Sequence, residues 1–317
     1  MKIHLVSANP AVGKQREKLQ ELWKKSSQRH ELTLQSTDAD IILVTDLAGP
    51  DWFRDLRLNA SVGRSPGKSF AISDSDFPMP LLHGIYTSAS RNLRFSARVR
   101  SAAYNLYPDE HLNPLLKGHD GNAYDLAKKH LYSFTGRDSS RIRIQLFELQ
   151  KRDDACVINT TNRFAAFGPS PEEKESWQKQ YIQILNESKY AVCPRGVGAA
   201  SLRLFECMKM GVAPVILSDA WMLPEGPDWK SFAVLVPEKD ILRLPDILKA
   251  HELEYVSRGM MARKAYERYF ADGAYFDYLI DMCVSIRQSQ IIPEEIIWAF
   301  RNAIVAMWKI KRHFSVS

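Results

Sequence analysis

The stretch from Tyr190 to Glu238 limits what this chain can fold into more than any other. It reads YAVCPRGVGAASLRLFECMKMGVAPVILSDAWMLPEGPDWKSFAVLVPE. The apolar run Tyr190 to Cys193 has strand character and breaks at Pro194 into the loop Arg195-Gly196-Val197-Gly198. Ser201 has the character of an N-cap for a short helix ending at Met210, where Gly211 supplies a left-handed C-terminal cap. Val212 to Leu217 is a second apolar, β-branched run of the buried parallel type. The result is a strand–loop–helix–strand unit with a glycine loop at the carboxyl end of its first strand. Ligands of open α/β sheets bind at that edge.

At about 100° per residue the helix puts Leu204, Phe205 and Met208 on one face, suited to packing on a sheet. Arg203, Glu206 and Met210 share another. Loop N–H groups, Arg195 and Arg203 could meet the phosphates of a nucleotide diphosphate sugar, with Glu206 accepting from ribose hydroxyls. The same two residues could equally be an i,i+3 pair on a solvated face, worth a few tenths of a kcal/mol. Spacing alone does not separate these readings.

Cys193-Pro194-Arg195-Gly196, Ser201 to Glu206, Ala213-Pro214-Val215-Ile216, Trp221 to Pro224, Trp229, Phe232 and Val236-Pro237-Glu238 follow one another in a fixed order. In that order and spacing they resemble the donor-site block of the exostosin family, which is far more specific than a lone glycine motif. Exostosins are glycosyltransferases that use nucleotide sugars on a GT-B scaffold. The resemblance therefore implies an α/β fold of two Rossmann-like domains. A small N-terminal acceptor domain would span 1–122, and a larger, doubly wound donor domain 123–290. By the same resemblance a C-terminal helix, 291–317, crosses back to the first domain.

The chain has 317 residues, enough for two cores. Its composition is that of an ordinary globular protein, which excludes collagenous and disulfide-stapled classes. A net charge of +6 and a pI near 9.0 favour anionic partners: nucleotides, acidic glycans or a membrane surface. Nucleic acid is not expected among them. Cys156, Cys193, Cys207 and Cys283 lie in apolar runs without metal spacing and read as buried thiols. With no transmembrane stretch or signal-peptide pattern, a cytoplasmic location with peripheral membrane contact is expected.

In chain order, Ile3–Ser7, Ile41–Thr45 and Lys68–Ser73 read as strands and Lys14–Lys25 as an amphipathic helix. The strand ending at Ser73 runs into Asp74-Ser75-Asp76. The exostosin resemblance places this segment facing the donor across a cleft, so a general base is expected here. Asp76 comes first, with Asp74 and His83 as fallbacks. An Asp-x-Asp after a strand is also how metal-dependent GT-A enzymes hold Mn²⁺, although no metal or cofactor is expected here. Arg91, Arg94 and Arg98 fall at i, i+3, i+7 on one face of a predicted helix, a solvated charged face or an acceptor-binding stripe.

Beyond the turn at Gly118 to Gly121, His130–Phe134 reads as a strand leading to Thr135-Gly136-Arg137. A helix is predicted from Ser139 or Ser140 to about Lys151. Arg141 and Arg143 in its first turn oppose the macrodipole, so a bound anion is expected there. By resemblance, Arg137 and Arg143 lie near the donor phosphates. The donor set is therefore Arg137, Arg143, Pro194, Arg195, Gly196, Ser201, Arg203, Glu206 and Asp219. Asp219, about twenty residues past the glycine loop, sits where an acid takes a ribose. Further helices are predicted over Glu172–Asn186, Asp240–Ala250, Glu252–Phe270 and Pro293–Lys309, with a strand over Phe232–Val236.

The expected activity is transfer from a nucleoside diphosphate sugar, UDP foremost, to a hydroxyl of a glycan or lipid-linked acceptor, with inversion and without a metal. Two rivals come from other classes. Gly196-x-Gly198-x-x-Ser201 approximates a dinucleotide fingerprint, as in an NAD(P)-dependent oxidoreductase, but it lacks the third glycine. The net charge alone would fit a non-catalytic polyanion-binding protein.

Overall fold

A computed structural model describes residues 1–9, 13–47, 52–92, 96–107, 112–149, 152–164 and 170–307. The chain divides into two compact units. The first comprises Met1–Pro108, Met222–Glu225 and Asp272–Ser317, and the second Asp109–Trp221 and Gly226–Ala271. Each is built on its own parallel sheet, as the alternation of strands and helices predicts.

In the first unit the strands are β1 (Lys2–Ser7), β2 (Glu31–Leu32), β3 (Ile41–Thr45), β4 (Ser69–Ser73), β5 (Gly84–Tyr86) and β6 (Val99–Arg100). They pair in the order β2-β1-β3-β4-β5-β6, every pair parallel. β3 and β4 are buried along their whole length, in keeping with the apolar runs Ile41 to Val44 and Phe70 to Ile72 that they contain. Helices α1 (Lys14–Lys25), α2 (Trp52–Leu58) and α3 (Ala60–Arg64) follow the early strands. Gly84 could not be replaced, because a Cβ there would lie 2.1 Å from the carbonyl oxygen of Ala71.

Among the described residues, the helix predicted around Arg91 to Ala102 is absent. Among the described residues this stretch holds a 3₁₀ turn, Ser96–Arg98, and then β6. Arg94 and Phe95 lie outside the described residues. Arg98 is buried, and its Nε donates to Glu294 Oε2 at 3.0 Å, so it is no solvated stripe.

The second sheet contains β7 (His130–Gly136), β8 (Ala155–Asn159), β9 (Ser188–Pro194), β10 (Ala213–Leu217) and β11 (Val234–Leu235). Their order is β11-β10-β9-β7-β8, again all parallel. The chain leaves β7 first to β8 on one side and then returns to β9 on the other. That reversal makes a topological switch point between β7 and β9. Its helices are α4 (Arg141–Glu148), α5 (Pro171–Asn186), α6 (Leu202–Met210), α7 (Trp229–Phe232), α8 (Leu244–Ala250) and α9 (Tyr255–Ala265). Ser170 starts α5 with a full capping box to Glu173. The core joins Tyr132, Phe134, Tyr190, Val192, Val215 and Leu217 from the strands to Ile142, Leu146, Leu244 and Leu248 from the helices.

Three boundaries differ from the sequence reading. Phe232 ends a helical turn instead of opening a strand, and Glu238–Arg243 is 3₁₀ before α8 begins. The helix expected over Glu252–Phe270 is α9 flanked by a 3₁₀ turn and by π-helix at Tyr266–Phe270. The chain rejoins the first unit at Asp272, with the 18-residue α10 (Asp272–Ser289) and then α11 (Glu294–Ala299). Trp308 and Lys309 of the predicted terminal helix lie outside the described residues.

Candidate functional site

The second unit gathers its polar side chains at the carboxyl ends of its strands. Arg137 follows β7, the glycine loop follows β9, Asp219 follows β10, and Glu238 lies shortly after β11. Two of these loops, after β7 and β9, flank the switch point, where a parallel sheet leaves a crevice for ligands.

The glycine loop is held by its carbonyls. Arg143 Nε donates to the Arg195 carbonyl at 3.0 Å and its Nη2 to that of Pro194 at 3.2 Å. Ser140 Oγ donates to the Arg195 carbonyl at 2.9 Å, and Ser218 Oγ to that of Ala199 at 2.7 Å. Among the described residues, the backbone N–H groups from Gly196 to Arg203 have no protein acceptor. Carbonyls tied back and amides left open make a positive-edged cradle at the start of α6. At Gly196 the space is tight, because a Cβ would sit 3.2 Å from Arg143 Nη2.

Pro194 closes β9, as the sequence reading expects, and Ser201 has the extended backbone of an N-cap. Its hydroxyl makes no capping bond, however, and lies buried without a partner. Gly211 ends α6 at φ 76°, where a Cβ would meet the Gly121 carbonyl at 2.4 Å.

Arg203 and Glu206 do not form an ion pair with each other. The Arg203 guanidinium lies over the Phe134 ring, 4.8 Å from its centre, and its Nε is buried without a hydrogen bond. Glu206 Oε2 accepts from the Tyr181 hydroxyl at 2.6 Å. Burial raises the Glu206 carboxyl above its ordinary range, tempered by the Tyr181 bond and by the charge of Arg203. The solvated i,i+3 pair is thereby replaced by two separately held groups.

Arg195 Nε donates to Glu238 Oε1 at 2.8 Å. The same oxygen accepts from the Asp219 N–H at 3.3 Å, and the Glu238 N–H donates to Asp219 Oδ1 at 3.1 Å. Asp219 and Glu238 thus lock the loops after β10 and β11 together and hold Arg195 at the rim. Arg137 is exposed, and its side chain makes no hydrogen bond or ion pair among the described residues.

The anion expected at the start of α4 is not what balances Arg143. Its donors are spent on the carbonyls of Arg195, Pro194 and Arg137, and its charge also lies over Phe134. Its place is behind the loop. Phe134, Ser140, Tyr181, Ser218 and Glu238 were missed from sequence. Only Glu238 carried a signal, the Val-Pro-Glu that closes the block.

The first-unit candidates stand apart by environment. Asp74 Oδ1 accepts from Thr87 Oγ1 at 2.8 Å, while Oδ2 is buried with no hydrogen-bonding partner. Burial pushes its carboxyl up to about 7, moderated by Thr87 and the Leu106 backbone. Asp76 is exposed and lies 3.5 Å from the Tyr104 hydroxyl, which is itself 3.0 Å from Ser88 Oγ. His83 is a core residue. Its ring stacks on Phe70 at 4.0 Å, its Nδ1 is 2.7 Å from Gln290 Oε1, and burial lowers its pKa. A fallback base is corrected here to a packing residue. No three His, Cys, Asp or Glu side chains gather to hold a metal ion among the described residues.

Residues 107–251 match the Exostosin GT47 domain. That span contains every donor candidate from Arg137 to Glu238 and stops short of Asp74, Asp76 and His83. The chain is 30% identical over 158 residues to the Exostosin-1 homolog of Caenorhabditis elegans, an alignment covering 45% of this chain and 41% of that protein. It is 29% identical over 175 residues to Exostosin-1 of Drosophila melanogaster, covering 50% of this chain and 23% of that protein. The chain thus spans less than half the length of these relatives. Among solved structures, MurG of Acinetobacter baumannii is similar at a TM-score of 0.39 and 12% identity, covering 89% of this chain and 99% of that one. Residues 107–251, with the glycine loop and the Arg203 to Glu206 turn of α6, thus form the part of the chain that matches the Exostosin GT47 domain and that carries its similarity to the Exostosin-1 proteins.

Proposed function

We propose that this chain transfers a sugar from a nucleoside diphosphate sugar, UDP-linked in the first instance, to a hydroxyl of a glycan or lipid-linked acceptor. The observation that carries the reading is the cradle between Gly196 and Arg203. Its amides have no protein acceptor, its carbonyls are tied back, and an unpaired Arg203 is fixed beside it. A diphosphate supplies the acceptors and the negative charge that such a cradle lacks. Buried Ser201 Oγ, also without a partner, is a further donor to that group. Arg195 and exposed Arg137 add positive charge at the rim, and Glu206 is available to ribose hydroxyls.

The chemistry is a single displacement with inversion. The acceptor oxygen bonds to the anomeric carbon as the bond to the diphosphate oxygen breaks, and the acceptor proton passes to a carboxylate. Fixed cations and amides stabilise the departing diphosphate without a metal. Asp76 is the proposed base because solvent reaches it. Asp74, with a carboxyl near 7, is the alternative because its basicity suits the task. The four free cysteines suit a reducing, cytoplasmic setting.

A panel of nucleotide sugars tests the reading directly. Slow hydrolysis of one of them, with competition by its free nucleoside diphosphate, supports it. Failure of every nucleoside diphosphate to bind, measured by calorimetry, would end it.

A further inference from the structure

Arg203 and Glu206 lie three residues apart on α6, a spacing at which opposite charges ordinarily pair. Here each is drawn to a different side. The Arg203 guanidinium lies over the Phe134 ring of β7, and Glu206 Oε2 accepts from the Tyr181 hydroxyl of α5 at 2.6 Å. A hydroxyl bound to a carboxylate is a charge-assisted hydrogen bond, among the stronger kinds. Tyr181 thus holds the carboxylate off the guanidinium, and both groups keep hydrogen-bonding capacity to spare.

That spare capacity lies at particular atoms. Among the described residues, Arg203 Nη1 and Nη2 make no hydrogen bond or ion pair and, unlike the buried Nε, are open to solvent. Glu206 is partly exposed, and its Oε1 is likewise open and without a partner. Three residues of helix, about 4.5 Å of rise, separate the free donors from the free acceptor. A nucleoside diphosphate likewise places its negative charge a few bonds from its ribose hydroxyls. A carboxylate that grips two vicinal hydroxyls uses one oxygen for each. With Oε2 committed to Tyr181, Glu206 offers one.

Given the nucleotide binding proposed above, we infer that Tyr181 is a positioning residue. It keeps Glu206 from pairing with Arg203 and presents Oε1 alone, so that the site reads one of the two ribose hydroxyls and is indifferent to the other.

The test is calorimetry of the full chain with UDP, 2′-deoxy-UDP and 3′-deoxy-UDP. One deoxy ligand should bind about tenfold or more weaker than UDP, and the other within about threefold of it. Tyr181→Phe should weaken UDP, as Glu206 turns to Arg203, and shrink the preference to about threefold or less. Glu206→Gln should abolish the preference, and adding Tyr181→Phe to that variant should change it no further. A Tyr181 that merely supported the fold would weaken all three ligands alike. That pattern overturns the inference, as does an equal loss for both deoxy ligands in the wild type or a preference that survives Glu206→Gln. The last two measurements still decide if Tyr181→Phe does not fold by far-UV circular dichroism. Failure of UDP to bind the wild-type chain would bring down the proposed function and this inference together. UDP binding with a preference that does not depend on Tyr181 would bring down this inference alone.

Discussion

The guanidinium of Arg203 lies 4.8 Å from the centre of the Phe134 ring, so a cation at the start of α6 is fixed by an aromatic residue of β7. This contact holds the charge in place without neutralising it, as a carboxylate partner would. Arg203→Ala should therefore weaken UDP binding by roughly 2–4 kcal/mol. Phe134→Leu should weaken it by about 0.5–2 kcal/mol, the range of a cation–π contact. Unchanged UDP affinity by calorimetry in a folded Arg203→Ala protein would sink the donor-site assignment.

Arg143 should act on the donor only through the loop. Arg143→Ala frees the carbonyls of Pro194 and Arg195, and roughly 1.5–3 kcal/mol of stability should be lost with the charged hydrogen bonds. Donor affinity should fall with it. Lysine should not rescue either property, because a point charge cannot span both carbonyls as the planar fork does. Full rescue by Arg143→Lys in thermal unfolding and UDP titration would contradict the bracing role.

Asp76→Asn should reduce turnover by roughly 10²–10⁴-fold while leaving UDP affinity nearly intact, as expected for a base that does not touch the donor. Wild-type turnover in this variant would transfer the role to Asp74. Turnover should also persist in chelator, and its abolition with recovery on adding Mn²⁺ would favour the metal-dependent alternative.

Asp74 should leave a mark on stability against pH. Its folded pKa of about 7 lies above the ordinary aspartate value of 3.8, so between these values the folded state holds a proton that the unfolded chain has released. Stability from this group is complete below the unfolded pKa and declines as pH rises towards the folded one. Asp74→Asn should remove that decline and gain about 1–2 kcal/mol at alkaline pH after allowance for solvent screening. Denaturant unfolding of both proteins across the acid-to-neutral range measures it, and parallel pH curves would show that Asp74 is not the group responsible.

Some of the site was legible because its causes are local. Pro194 can only end β9, Gly211 can only be the residue at φ 76°, and the apolar run Val212 to Leu217 needs a buried parallel strand. Ser201 was placed correctly as an N-cap for the same reason. Its hydroxyl was not, because bonding depends on what surrounds it. The block from Cys193 to Glu238 likewise carried the family.

What the sequence determined by itself was the alternation of strands and helices, and hence two parallel sheets with a glycine loop at a carboxyl edge. Tertiary structure alone decided which polar groups meet. Arg98 reads as a surface residue, yet it pairs with Glu294 in the core, where Glu294 Oε1 also accepts the His83 N–H. Arg143 reads as a phosphate ligand and instead serves two carbonyls of a loop some fifty residues away. Periodicity depends on a residue and its near neighbours, so it survives in one dimension. Burial and hydrogen-bond partners depend on segments far apart in sequence, and the same arginine is a ligand, a brace or a core ion according to what folding brings beside it.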